Sequence, residues 1–157
     1  MRICLNCKSK TRSNYLQECK LCGNAIVQCD RYTFNLLRVM HQIGFSVQRA
    51  QIEAALCVHD KEAPVWFCLN GFVEFGSFKQ YDEILFQDLP AGWNFAIDDY
   101  DFFTSQKLKY FIFLDFSDEA WSKRNQEIRL AVSELENYYT EILNTKIHAV
   151  WRLGGYL

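Results

Sequence analysis

Two Cys-x-x-Cys hooks at the start of the chain constrain it more than any other feature. Cys4-Leu5-Asn6-Cys7 is followed, after eleven residues, by Cys19-Lys20-Leu21-Cys22-Gly23. Four thiolates at this spacing can close on one ion in tetrahedral geometry. That set suits a soft or borderline metal, with Zn2+ the default and iron the alternative. Cys4, Cys7, Cys19 and Cys22 would fill every coordination position, leaving none for water or substrate, so the ion is expected to be structural. The segment needs such a staple. Residues 1–29 offer few large apolar side chains, Ile3, Leu5, Tyr15, Leu16 and Leu21 among them, and so short a stretch buries too little surface to order itself. Structural zinc in finger peptides contributes on the order of 10–16 kcal/mol. Gly23, after the second hook, suits the unusual backbone angle of a tight knuckle.

Seven cysteines cannot all pair within one chain. Met1-Arg2-Ile3 leads into the first hook with no basic-then-apolar leader, so a reducing, cytoplasmic setting is expected. Cys57 and Cys68 have apolar neighbours and read as small buried hydrophobes. No apolar run reaches membrane-spanning length, so no membrane association is expected. Half of the 157 residues are hydrophobic, enough for a real core beside the cysteine module. The division expected is a metal ribbon over 1–29 and an α+β body over 30–157.

Charge is uneven along the chain. Residues 1–60 carry a net +4 and residues 61–157 a net −6. A dication held by four thiolates has a local charge of −2, which reduces the front half to about +2. That is a weak lure for phosphates, and the acidic back half repels them.

In chain order, Phe34, Leu37 and Met40 recur at helical spacing up to Gly44, a C-terminal stop. Ser46 reads as the cap of a second helix running through Leu56, which makes a helical pair. Val65–Leu69 and Phe72–Phe75 flank Asn70-Gly71, a hairpin signal with a type I′ turn. Further strands are expected at Ile84–Phe86 and Trp93–Ile97, followed by an acidic loop at Asp98-Asp99-Tyr100-Asp101. Leu108–Phe116 is apolar on both faces, as a central strand would be. Ser117 caps a long helix over 117–143, with Trp121, Ile128, Leu135 and Ile142 along one stripe. Ile147–Leu153 alternates as a closing strand. The fold class expected is α+β: a zinc ribbon, a helical pair, then a mainly antiparallel sheet packed by one long helix.

The hooks resemble the zinc-ribbon, zinc-knuckle and rubredoxin-like families over about 25 residues, carried by Cys4, Cys7, Cys19, Cys22 and Gly23; the proline common in those knuckles is absent. Such ribbons bind DNA, RNA or protein, so the resemblance does not choose a role. By size, metal hook and acidic aromatic body, the whole chain looks like the zinc-containing anti-CRISPR proteins. That resemblance implies docking onto a nucleic-acid-handling protein and inhibiting or modulating it. No phosphate loop, dinucleotide fingerprint, nucleophile elbow or His-Glu-x-x-His is present, so no enzyme is expected. The partner surface expected is Asp98, Asp99, Tyr100, Asp101 and Phe102, acids and aromatics facing a basic protein. The alternative is a nucleic-acid regulator using Arg2, Lys8, Lys10, Arg12 and Lys20. A third reading, a metal-dependent nuclease, rests on Asp98, Asp99 and Asp101 with Asp115. Loss of one ligand cysteine is expected to disorder residues 1–29 and leave the body folded.

Overall fold

The computed structural model describes residues 1–13, 17–57, 66–76, 81, 83–100 and 103–143. Seven strands are found there: β1 (Arg2–Cys4), β2 (Lys10–Thr11), β3 (Ile26–Cys29), β4 (Val47–Cys57), β5 (Trp66–Phe75), β6 (Trp93–Tyr100) and β7 (Phe103–Asp115). Helix α1 (Phe34–Gln42) lies between β3 and β4, and α2 (Asp118–Tyr138) follows β7. All seven strands form one sheet in the order β2-β1-β3-β4-β5-β7-β6. Every pairing is antiparallel except β3 with β4. A parallel neighbour requires a crossover, and α1 supplies it.

Asp30 fixes that crossover. Its Oδ1 accepts from the Tyr32 and Thr33 backbone N–H at 2.8 and 2.9 Å and from Thr33 Oγ at 3.0 Å, while Oδ2 accepts from Ile52 N–H in β4 at 2.8 Å. Thr33 occupies the N-cap of α1 without a capping bond of its own, so the carboxylate three residues earlier does the work of the cap. At the other end, α1 stops at Gly44, which takes φ 105°, as its composition predicts.

Four expectations about secondary structure are overturned. The second helix is strand β4, so no helical pair forms there. Ala and Gln favour a helix locally, yet Ala50 and Ile52 are buried while Gln51 and Glu53 face out. β4 is hydrogen-bonded on both sides, and that pairing outweighs local propensity. Asn70-Gly71 is not a turn but the middle of the continuous strand β5. The glycine is required by closeness instead: a Cβ on Gly71 would lie 2.7 Å from the Gln51 carbonyl oxygen of β4. Ile84–Phe86 falls in a 3₁₀ turn spanning Glu83–Phe86 rather than a strand. Asp98 and Asp99 belong to β6, which extends to Tyr100, so the acidic segment is not a loop up to that point. The closing strand at Ile147–Leu153 lies outside the described residues.

Both helices pack on the same face of the sheet. Leu36, Leu37 and Met40 of α1 and Ile128, Val132 and Leu135 of α2 join Ile52, Phe67, Leu69, Val73 and Leu108 in one core. Trp93 Nε1 donates to the Ala131 carbonyl at 3.1 Å, and Trp121 meets Phe67 edge-on at 5.5 Å. Ser117 caps α2 as expected, its Oγ accepting from Ala120 N–H at 3.0 Å. Ile3, Leu5, Val27 and Cys29 of the cysteine module enter the same core. The opposite face carries no helix among the described residues. There β7 departs from the expected two-sided burial: Phe111 and Phe113 are 49% and 57% exposed.

Asp30→Ala leaves several donors near the crossover without their acceptor. We expect a loss of about 3 kcal/mol, read as a lowered urea midpoint with unchanged slope, and a smaller loss for Asp30→Asn, which keeps one carbonyl acceptor.

Candidate metal centre

Each hook is a turn of the same construction. In the first, Lys8 N–H donates to the Cys4 carbonyl at 3.1 Å and Cys4 N–H donates to the Ser9 carbonyl at 2.9 Å. In the second, Gly23 N–H donates to the Cys19 carbonyl and Cys19 N–H to the Asn24 carbonyl, both at 2.8 Å. The residue after each second cysteine has positive φ: 60° at Lys8 and 69° at Gly23. Glycine takes this conformation at little cost, whereas lysine carries a modest strain. The hooks are held side by side by Leu5 N–H donating to the Ala25 carbonyl at 3.1 Å and by pairing of β1 with β3.

This brings four sulfurs together. Cys4 and Cys22 Sγ lie 3.5 Å apart, as do Cys7 and Cys19 Sγ, and all four lie within 4.8 Å of one another. A tetrahedron of thiolates about 2.3 Å from its ion has sulfur–sulfur edges of about 3.8 Å, so the cage is already the right size. All four cysteines are free of disulfides. Cys4 and Cys19 are buried, Cys22 is half-buried and Cys7 faces solvent. Alternation along β1 sends Ile3 and Leu5 into the core, so Cys4 emerges on the helix-free side with Cys19 and Ile26.

Backbone dipoles are aimed at the sulfurs. Cys7 and Asn6 N–H groups bond Cys4, and Leu21 and Cys22 N–H groups bond Cys19 in the same way. Ser9 Oγ sits 3.1 Å from both Cys7 and Cys19 Sγ. Its hydroxyl, with the Leu21 N–H next in strength, draws the Cys19 thiol down to about 6. The Asn24 N–H lowers Cys22 as well. Burial acts oppositely on Cys4 and pushes it up to about 11. The arrangement can hold a metal ion, with Cys19 ready as a thiolate and Cys4 giving up its proton on binding.

The remaining sequence candidates are dispersed. Lys8, Lys10, Arg12 and Lys20 are exposed around the hooks, and Arg2 is half-buried in β1. Asp98 and Asp99 lie on β6, at the far edge of the sheet. Asp98 is already engaged: Lys109 Nζ at 2.7 Å and Lys107 Nζ at 3.1 Å hold its carboxyl below the usual carboxylate range. Asp99 accepts from Thr104 Oγ at 2.9 Å. Tyr100 ends β6, while Asp101 and Phe102 lie outside the described residues. Asp98 pairs with Ser105 whereas Asp115 pairs with Trp66 at the other end of β7, about 33 Å along the strand. These acids do not share a site.

Two features escaped the sequence reading. One is a ladder of charges across the helix-free face, from Arg49 to Glu74 and from Lys107 to both Glu74 and Asp98, with Ser105 Oγ donating to Glu74 at 2.9 Å. The other is the contact of Cys57 with Cys68. Both depend on strand register, which the misread of β4 concealed. Compared with protein-family models, curated proteins and solved structures, the chain has no match.

Elemental analysis of protein purified in the presence of zinc should give one ion per chain, lost in Cys4→Ser and Cys19→Ser and kept in Cys29→Ser. Since β1 and β3 belong to the common sheet and core, removing the ion should lower the single melting transition of the whole chain. A separate early loss of residues 1–29 alone would show instead that the module orders independently. Metal binding should also release fewer than four protons per ion near pH 7, because Cys19 is already ionised there. As pH falls through about 6, Cys19 takes up its proton and the count rises; calorimetry in two buffers of different ionisation heat reads both.

Proposed function

We propose that this chain is a non-enzymatic, zinc-stapled interaction protein that docks onto another protein through the helix-free face of its sheet. The observation that carries the reading is the composition of that face. Phe111 and Phe113, edge-to-face at 4.8 Å, stand exposed in register with Asn70 and Cys68, and Trp66, 40% exposed, lies opposite Asp115. Aromatic anchors rimmed by charge are what protein interfaces use, and a monomer has little reason to leave them bare. Zinc is the ion of choice for four thiolates closed against water, and its role is to hold the module to the sheet.

The partner class is an apolar surface bordered by Lys and Arg, which would meet the exposed Glu53 and Asp115 beside the aromatics. A nucleic-acid-handling effector has such a surface, and covering it would inhibit or modulate that effector, in keeping with the anti-CRISPR-like resemblance. Asp98 lies on that face at its β6 edge but contributes little, since two lysines neutralise it; Asp99, next along the strand, stands on the opposite face. The alternative, nucleic-acid binding through Arg2, Lys8, Lys10, Arg12 and Lys20, is favoured by the exposure of four of these side chains around one module.

A photo-crosslinking residue placed at Phe113, in nuclease-treated lysate, should capture one discrete protein species that Phe111→Ser abolishes. The same residue at Leu130, exposed on α2, should capture none. Equal capture from both positions, or none from either, would sink the docking reading. Shift of a mixed-sequence duplex at about 50 mM salt, steeply weakened by more salt and lost in Lys8→Ala/Lys10→Ala, would establish the alternative.

A further inference from the structure

We propose that Cys57 and Cys68 form a second, independent thiol site: a dithiol that exchanges with low-molecular-weight disulfides of the glutathione type to become a cross-strand disulfide. Of the seven cysteines, four belong to the metal cage and Cys29 is sealed in the core. The remaining two are adjacent. Cys57 ends β4 opposite Trp66, and Cys68 lies opposite Ala55, so both side chains stand on the helix-free face. Their sulfurs are 3.2 Å apart, with Cys57 donating to Cys68. A disulfide needs about 2.05 Å, so closure asks for about an ångström of travel at the end of a strand. Cys57 makes one further contact, a long bond to the Ala55 carbonyl at 3.8 Å.

Accessibility orders the chemistry. Cys57 is half-exposed, whereas Cys68 is 6% exposed. The Cys57 thiolate attacks one sulfur of the small disulfide, forming a mixed disulfide and releasing one thiolate. Cys68 then loses its proton and attacks the Cys57 sulfur, and the second small thiolate leaves. Two protein thiols are oxidised, one small disulfide is reduced to two thiols, and the two protons pass to solvent or to the leaving thiolates. The hydrogen bond to Cys68, with burial beside it, pushes the Cys57 thiol above its ordinary value. Exchange is therefore slow at neutral pH and quickens as the pH rises. The bond would clamp β4 to β5 beside Trp66 and Phe113, at the edge of the exposed aromatic patch.

The test uses the full metal-loaded chain, treated with excess oxidised glutathione, quenched by alkylation and mapped by mass spectrometry. The result expected is loss of two hydrogens, a peptide linking residue 57 to residue 68, full retention of the metal, and reversal by reduced glutathione. Cys68→Ser should instead trap glutathione on Cys57, and Cys57→Ser should leave Cys68 unmodified. The proposal is overturned if wild type keeps glutathione on Cys57 as the Cys68→Ser variant does, or if the link forms only in denaturant. It is equally overturned if oxidation falls on Cys4, Cys7, Cys19 or Cys22 with metal release while Cys57 and Cys68 stay alkylatable. Uptake of glutathione at Cys68 in Cys57→Ser would overturn the order of attack. Because the wild-type map needs no variant, a poorly folded serine substitution does not blunt the test.

Discussion

The carboxylate of Asp30 sits where the cysteine module becomes the body, and the junction depends on it. β3 and β4 meet through two register pairs, Gln28 with Arg49 and Cys29 with Ala50, which is little to join two parts of a sheet. Asp30 adds bonds to both sides: the start of α1 through Tyr32 and Thr33, and the next residue pair of β4 through Ile52. A charged acceptor bonding backbone N–H groups is stronger than a neutral one. One side chain thus terminates β3, begins α1 and sets where β4 lies, and the positions of β5, β7 and β6 follow outward from β4.

The metal hooks and the long helix were legible because their signals are local. Four cysteines at fixed spacing, a serine before Asp118 and Glu119, and a glycine after α1 each act on their immediate neighbours. β4 was not legible for the same reason. Val47–Cys57 has the composition of a helix, and its strand character comes from partners many residues away. Asn70-Gly71 shows the converse failure. The dipeptide is a turn signal when its φ angles are free to go positive, but here the glycine answers to the backbone of β4 pressing at 2.7 Å. Once β4 is a helix in the reading, no strand remains to press on Gly71, so one error entails the other. The same error hides the charge ladder and the Cys57–Cys68 contact, which exist only in the β4–β5–β7–β6 register.

That ladder changes how the acidic residues should be weighed. Glu74 is 9% exposed and would be costly to bury alone, but Arg49, Ser105 and Lys107 surround it. Lys107 reaches on to Asp98, which Lys109 also holds. Counting acids along the sequence treats Asp98 as free charge for a partner; in the sheet it completes a chain of alternating signs. Such a chain fixes cross-strand register as well as adding stability, since a shift by one residue would part the opposite charges, setting Glu74 against Gln106 or Leu108, and turn the aromatics over.

The metal cage and the core share a strand, and this gives the staple its reach. β1 spans Arg2–Cys4. Ile3 and then Leu5 turn into the core beneath the helices, while Cys4 between them turns to the cage on the other side. An ion gripping Cys4 would therefore fix the register of Ile3 and Leu5 against Val27, and through β3 it would support the short parallel junction that Asp30 completes. A ribbon joined by a linker would order only itself. Here alternation along one short strand makes each side depend on the other, because moving Cys4 out of the cage by one residue would also take Ile3 and Leu5 out of the core.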